Sequence, residues 1–180
     1  MQLLIGLGGN EGDVLSAFSR ALASLQSHVA VLARSSVWRS APEGPPQPDY
    51  LNAAALLETE VHPVAILTLC QRLEAEEGRD RARERRWGSR PLDLDLLIAP
   101  GVVIEAPALV LPHPRLGVRR FALAPAAELA PDWLHSRLHR TLAQLAAVPE
   151  IAAQRCERIE GLKAWRLGGL EAWRLGGLEA

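Results

Sequence analysis

The stretch Arg90-Pro91-Leu92-Asp93-Leu94-Asp95-Leu96-Leu97-Ile98 constrains this chain more than any other. A strand turns successive side chains to opposite faces. Asp93 and Asp95 therefore share one face, about 6.5–7 Å apart at the Cα, and Leu92, Leu94 and Leu96 share the other. The leucine face demands a core. Two carboxylates side by side on a strand anchored in that core repel each other and lose hydration, which is costly without a cation. Magnesium bridged to phosphates is the usual remedy, because it takes one or two protein carboxylates and completes its shell with water and substrate oxygens. The alternative is a surface strand whose acids simply pair with arginines.

Arginines lie directly upstream. Arg79, Arg81, Arg83, Arg85, Arg86 and Arg90 fall within twelve residues, offset by Asp80 and Glu84 and interrupted by Trp87-Gly88. By itself such a run is a solvated loop. Leading into an acidic pair, it becomes equipment for holding and activating a polyphosphate. Of the 20 basic residues 19 are arginine and one is Lys163, a bias that reflects either genome composition or a preference for planar, bidentate phosphate contacts. Trp87 either stacks on a base or anchors the loop.

The rest of the composition is that of one soluble domain: 180 residues, 48% hydrophobic, 23% charged, with a net charge of −1. There is no basic excess of the kind that marks general nucleic-acid or membrane-surface binders. Cys70 and Cys156 make neither a disulfide framework nor a zinc site and suit a reducing compartment. The N-terminus reads as neither a signal peptide nor a membrane span, so a cytoplasmic protein is expected.

Residues 2–7 read as a buried strand ended by a glycine loop. A helix capped by Asp13 follows, with Leu15, Phe18, Leu22, Leu25 and Val29 at helical spacing. Residues 29–39 look extended, and residues 40–49, with four prolines, form a stiff loop. Strand-like sequence resumes over 50–61. Pro63 opens a helix that Gly78 stops, and a strand covers 92–98. Pro112-His113-Pro114 is a rigid turn, and helices are expected over 118–129 and 137–147. The glycine loop at 8–13 lacks the ending of a P-loop and the spacing of a dinucleotide fingerprint, so a tight turn is its simpler reading. His113 is either a pinned ligand contact or a turn residue. The segment 164–171 is repeated letter for letter over 172–179. It is too short for a solenoid and reads as an extension (161–180) outside a main domain (1–160).

Four ordered blocks resemble the 6-hydroxymethyl-7,8-dihydropterin pyrophosphokinases. They are Gly8-Gly9-Asn10 with Gly12-Asp13, then Gln47-Pro48-Asp49-Tyr50-Leu51-Asn52-Ala53, then Gly78-Arg79 through Asp95, and finally Pro112-His113-Pro114-Arg115 through Phe121. The resemblance implies an α+β, ferredoxin-like antiparallel sheet flanked by helices on both faces. It implies a monomeric enzyme that transfers pyrophosphate from ATP to the pterin hydroxymethyl group and releases AMP. Two magnesium ions would sit on Asp93 and Asp95, and Arg79 and Arg90 would assist the transfer. Tyr50 and Phe121 would sandwich the pterin, Asn52 would hydrogen-bond its edge, and backbone near Ser40, Pro42 and Glu43 would help. Gln71, Glu74, Arg81, Arg86, Trp87, Leu96, His113 and Arg119 would contact ATP. The partners implied are these two small molecules, with no nucleic acid and no membrane. A metal-dependent phosphohydrolase would use the same acids and arginines but would need a water-activating group and no aromatic sandwich. A nucleic-acid binder would use the arginine run but not the Asp pair.

Overall fold

Strand β1 (Gln2–Gly9) organises the molecule, because its two faces are written in different residues. The computed structural model describes residues 1–79, 88–160 and 165. After β1 come α1 (Val14–Leu25), β2 (Ala30–Arg34), β3 (Trp38–Ser40), β4 (Tyr50–Glu58) and α2 (Pro63–Glu76). The second half holds β5 (Asp93–Ile98), β6 (Ile104–Ala106), β7 (Leu109–Leu111), a 3-10 turn (Leu116–Val118) and α3 (Arg120–Leu129). It ends with β8 (Leu134–His135), β9 (Arg140–Thr141), α4 (Leu142–Ala146), α5 (Pro149–Ala152) and β10 (Cys156–Arg158).

Local chemistry sets the helix ends. Asp13 accepts hydrogen bonds from the Ser16 amide at 3.2 Å and the Ser16 hydroxyl at 2.6 Å, so it caps α1 and satisfies one of the free amides of the first turn. Pro63 occupies the first turn of α2, where no amide partner is needed. Gly78, at φ +93°, ends the helical path with a conformation that a side chain would strain.

Six strands form one antiparallel sheet in the order β10-β3-β4-β1-β5, with β2 also paired to β4. β2 and β3 are two parts of one interrupted strand beside β4, and β10 pairs with the β3 part. The Ser35 hydroxyl fills the break by accepting the Ala54 amide at 2.8 Å. On one side of the sheet Leu3, Ile5, Leu7, Ala53, Ala55, Leu57, Leu94 and Leu96 pack with Phe18, Leu22 and Leu25 of α1 and Ile66 and Leu73 of α2. On the other side Leu4, Leu97 and Ile98 pack with Leu116, Leu123 and Ala126 around α3, and with Leu142 and Leu145 of α4. Helices thus cover both faces, as the α+β reading of the sequence anticipates. Among the described residues no helix is long and apolar enough to cross a membrane.

One expectation changes. The helix expected over 137–147 begins only at Leu142. Residues 134–141 make a small hairpin that turns at His139, whose φ is 53°. The reason is local: Thr141 and Gln144 form a reciprocal capping box, which starts a helix rather than continuing one. Trp165, beyond residue 160, is 5% exposed and packs in the α1/α2 core.

Candidate functional site

On the α1/α2 side β1 contributes Leu3, Ile5 and Leu7, and on the other side Leu4, Gly6 and Gly8. Leu4 is packed beneath α3, but the two glycines leave the sheet bare. The register completes the floor. Gly8 stands between Asn52 of β4 and Asp93 of β5, and Gly6 between Ala54 and Asp95. A cavity of about 110 Å³ opens there, several times the roughly 10–15 Å³ that one water occupies by the same measure. Gly6, Gly8, Asn52, Asp93 and Asp95 line its floor, and Ser40, Ala41, Glu43, Tyr50, Arg90, Arg119 and Phe121 its walls.

The two carboxylates meet different surroundings. Asp93 accepts from Arg79 and, at 3.0 Å, from Arg90. Arg79 also binds Glu74 at 2.6 Å, and the same Glu74 oxygen accepts the Leu94 amide at 2.8 Å. Glu74 is 1% exposed, so an acid of α2 is wired from below to the strand that carries the Asp pair. Burial, then Asp93, then Glu74 push the Asp95 carboxyl up to about 7. A carboxylate destabilised in this way is one that a cation stabilises.

The described residues hold no group of three or more His, Cys, Asp or Glu arranged as a metal cluster. Magnesium asks for less: one or two carboxylates, with water and phosphate completing the shell. Asp93 and Asp95, on one face of one strand and open to the cavity, fit that requirement.

The polar walls are fastened across long sequence distances. Asn10 is the main fastener. Its side chain accepts the Arg90 amide at 3.0 Å and donates to Gln47 at 3.1 Å and the Pro48 carbonyl at 3.0 Å. The glycine loop, the proline loop and the approach to β5 are thereby joined at one residue. Gly9 permits this closeness, because a Cβ there would stand 2.6 Å from the Pro91 carbonyl oxygen. The glycine loop is a close approach of two backbones, in keeping with its simpler reading as a tight turn. Asn10 and Gln47 stand in the resembling blocks without an assigned role. Their only sequence signal was an amide side chain beside a glycine and beside a proline.

Asn52 donates to the Ser40 hydroxyl at 2.9 Å, which orients its amide beneath the cavity. The Tyr50 hydroxyl donates to the Gly88 carbonyl at 3.0 Å. Arg119 lies 5.2 Å from the Phe121 ring centre and donates to Glu43 at 2.7 Å, while its buried Nε has no hydrogen-bond partner. An orphaned buried donor beside a cavity is suited to an arriving anion. His113 donates its amide to the Leu97 carbonyl at 2.7 Å, and its Nδ1 accepts the Arg115 amide at 3.2 Å. Burial, then Arg119, lower its pKa to about 4, so the ring is neutral near pH 7.

The structure thus brings Ser40, Glu43, Tyr50, Asn52, Arg90, Asp93, Asp95, Arg119 and Phe121 to one cavity. Pro42 sits between two lining residues. Arg79 and Glu74 stand behind β5 rather than in the lining. Gln71 is exposed on α2, the Leu96 side chain is in the core, and His113 flanks the cavity without lining it. Arg81, Arg86 and Trp87 lie outside the described residues.

An antiparallel α+β domain with paired acids and arginines at one end of its sheet, next to an aromatic-walled cavity, belongs to the class that handles phosphorylated or polyphosphate substrates. A family model described as 7,8-dihydro-6-hydroxymethylpterin-pyrophosphokinase matches residues 4–131. Three relatives are each named 2-amino-4-hydroxy-6-hydroxymethyldihydropteridine pyrophosphokinase. The one from Synechocystis is 40% identical over 144 residues, covering 79% of this chain and 73% of the relative. Those from Methylorubrum extorquens and Bacillus subtilis are each 41% identical, covering 71% and 69% of this chain and 82% and 75% of theirs. A crystal structure of Plasmodium falciparum HPPK-DHPS superposes with a TM-score of 0.62 at 12% identity, a likeness of fold. It covers 80% of this chain but 43% of that one, so the chain spans less than half of that longer protein. The chain belongs to the 7,8-dihydro-6-hydroxymethylpterin pyrophosphokinase family.

Proposed function

We propose a division of labour by which this chain carries out the family's reaction. That reaction transfers pyrophosphate from ATP to the hydroxymethyl group of 6-hydroxymethyl-7,8-dihydropterin, giving the pterin diphosphate and AMP in folate biosynthesis. The observation that carries the reading is the cross-strand floor Asn52–Gly8–Asp93, which sets an amide edge and a carboxylate on either side of a strand with no side chain. A flat heterocycle would lie over Gly8 with its edge at Asn52, between the rings of Tyr50 and Phe121. Its reacting arm would then point toward Asp93 and Asp95.

Asp93 and Asp95 would hold magnesium, two ions in our reading, which when bound neutralises the triphosphate and orients it. Arg90 and Arg119 reach the same cavity and would take phosphate oxygens in exchange for their present partners, Asp93 and Glu43. Arg79, held by Glu74, keeps its guanidinium behind Asp93. What the protein contributes is alignment of the hydroxymethyl oxygen with the β-phosphorus, with AMP leaving on the opposite side, and stabilisation of the developing charge. The pinned turns at Pro48 and His113 keep the walls from needing to order on binding.

We assign residues 1–160 to this catalytic domain and 161–180 to an extension that is anchored on it through Trp165, and take the working unit to be a cytoplasmic monomer. Support for the compartment is chemical. Cys70 and Cys156 are both buried free thiols, with burial pushing them up to about 12 and about 11, and nothing in the fold requires an oxidised pair. The test is product analysis. Purified protein with magnesium, ATP and hydroxymethyldihydropterin should form AMP in step with the pterin diphosphate. ADP as the nucleotide product would overturn the reading.

A further inference from the structure

Where β2 gives way to β3 the chain leaves the β4 ladder, and side chains close the gap. The Ser35 hydroxyl accepts the Ala54 amide and donates to the Ser36 carbonyl at 2.7 Å. The amide and hydroxyl of Ser36, a residue 4% exposed, reach α3 instead. Both donate to one oxygen of Glu128, at 3.0 and 2.7 Å. The other Glu128 oxygen accepts the Trp38 indole N–H at 3.3 Å. The carboxylate of the penultimate residue of α3 thus ties the helix to the interrupted strand, 90 and 92 residues earlier in the chain.

Helix stability does not account for this glutamate. A negative charge near the C-terminal end of a helix opposes the macrodipole, and the last turn of α3 carries no basic residue to offset it. What the bonds add is direction. Leu123 and Ala126 hold α3 on Leu4, Leu97 and Ile98, but apolar packing is non-directional. Pro125 has no amide to give the Phe121 carbonyl, so the helix's own ladder holds the first turn less firmly. Glu128 and Phe121 are seven residues apart, about two turns, and therefore lie along one side of α3. At one end of that side the carboxylate grips Ser36 and Trp38. At the other the Phe121 ring walls the cavity. The gripped strand also serves the floor: Trp38 pairs with Asn52, and the Ser40 hydroxyl accepts the Asn52 amide at 2.9 Å.

We propose that Glu128 is a positioning residue for the pterin: it fixes α3 against β3 and so sets the Phe121 ring over the Gly8 and Asn52 floor. The proposal rests on the placement of the heterocycle between Tyr50 and Phe121. Glu128 acts through that ring and does not touch the substrate. The ATP end of the cavity depends on it little, because Asp93, Asp95 and Arg90 belong to β5 and its approach, separated from β3 by β4 and β1.

The experiment titrates the full chain, with magnesium, with a non-hydrolysable ATP analogue alone and then with hydroxymethyldihydropterin at saturating analogue. Glu128→Ala should weaken the pterin about tenfold, a fraction of the roughly 100-fold that a 1 Å misplacement can cost, and leave the analogue within about twofold. Glu128→Gln keeps an oxygen for Ser36 and should hold pterin affinity within about threefold of the unaltered chain. In a Phe121→Ala background, Glu128→Ala should add less than about twofold, because both changes act through one ring. Ser36→Ala removes the 2.7 Å bond alone and tests the same tether more gently; it should weaken the pterin by less, again without the analogue. Equal losses of both ligands, or losses that add fully in the double variant, would make Glu128 a general structural residue and overturn the proposal. Phe121→Ala that weakens the pterin beside a harmless Glu128→Ala would overturn the positioning role alone. Phe121→Ala without effect on the pterin would overturn the aromatic placement, and the proposal with it.

Discussion

The two faces of the sheet share every strand and differ in almost everything else. Beneath α1 and α2 the strands present Leu3, Ile5, Leu7, Ala55, Leu57 and Leu94, none more than 2% exposed. On the opposite face of the same strands stand Gly6, Gly8, Asn52, Asp93 and Asp95, and α3 closes only part of the surface. Burying a large aliphatic side chain contributes roughly 1.5–3 kcal/mol, so the first face holds the domain together and the second is left free to hold a ligand. Stability and chemistry are separated by the period-2 alternation of β1, β4 and β5.

That separation predicts opposite outcomes for changes one residue apart. The largest effect belongs to the packed face. Phe18→Ala, at a side chain with no exposure, should cost about 3–5 kcal/mol in denaturant unfolding, while the folded fraction keeps its substrate affinities. Next is the pair Gly9 and Gly8. Gly9→Ala drives a methyl into the Pro91 carbonyl and should cost about 1–3 kcal/mol of stability. Gly8→Ala meets nothing closer than 3.7 Å and should leave the melting temperature nearly unchanged, while pterin affinity by calorimetry falls roughly tenfold or more because the floor is raised. Equal melting temperatures for the two variants would break the comparison.

Smaller effects sharpen it. Glu43→Gln removes the partner of Arg119 on a half-exposed pair and should tighten ATP binding by about two- to fivefold, more at low salt. His113 gives a signal confined to acid pH. Its pKa is about 4 in the folded chain and about 6.5 when unfolded, so between these values the unfolded state binds more protons. Its contribution to stability is therefore complete above about pH 6.5 and is lost as pH falls toward 4. His113→Gln should flatten the fall in melting temperature across that window.

What was legible in the sequence was local. Asp13 and Pro63 announce their helices through groups within three residues, and the Asp93/Asp95 alternation needs only the strand period. The aromatic walls followed from the resemblance. What was not legible depends on partners far along the chain. Asn10 joins segments 37 and 80 residues away, and Glu74 reaches under β5 to the Leu94 amide. Trp165 sits in a repeat whose composition suggests an appendage, and only its contacts with Phe18 and Ser35 reveal a core residue. The 137–147 miss is different in kind: the Thr141/Gln144 capping box that starts α4 is local, and the hairpin at His139 precedes it.

The most direct test of the separation is Asp95→Asn, followed for both melting temperature and AMP formation. Replacing a half-buried carboxyl that Asp93 and Glu74 disfavour should leave the melting temperature equal or higher. AMP formation should fall by at least about 100-fold, the scale on which removing one charge-stabilising group acts. A variant that kept its turnover, or one that lost turnover only because it unfolded, would contradict the assignment of the open face to chemistry.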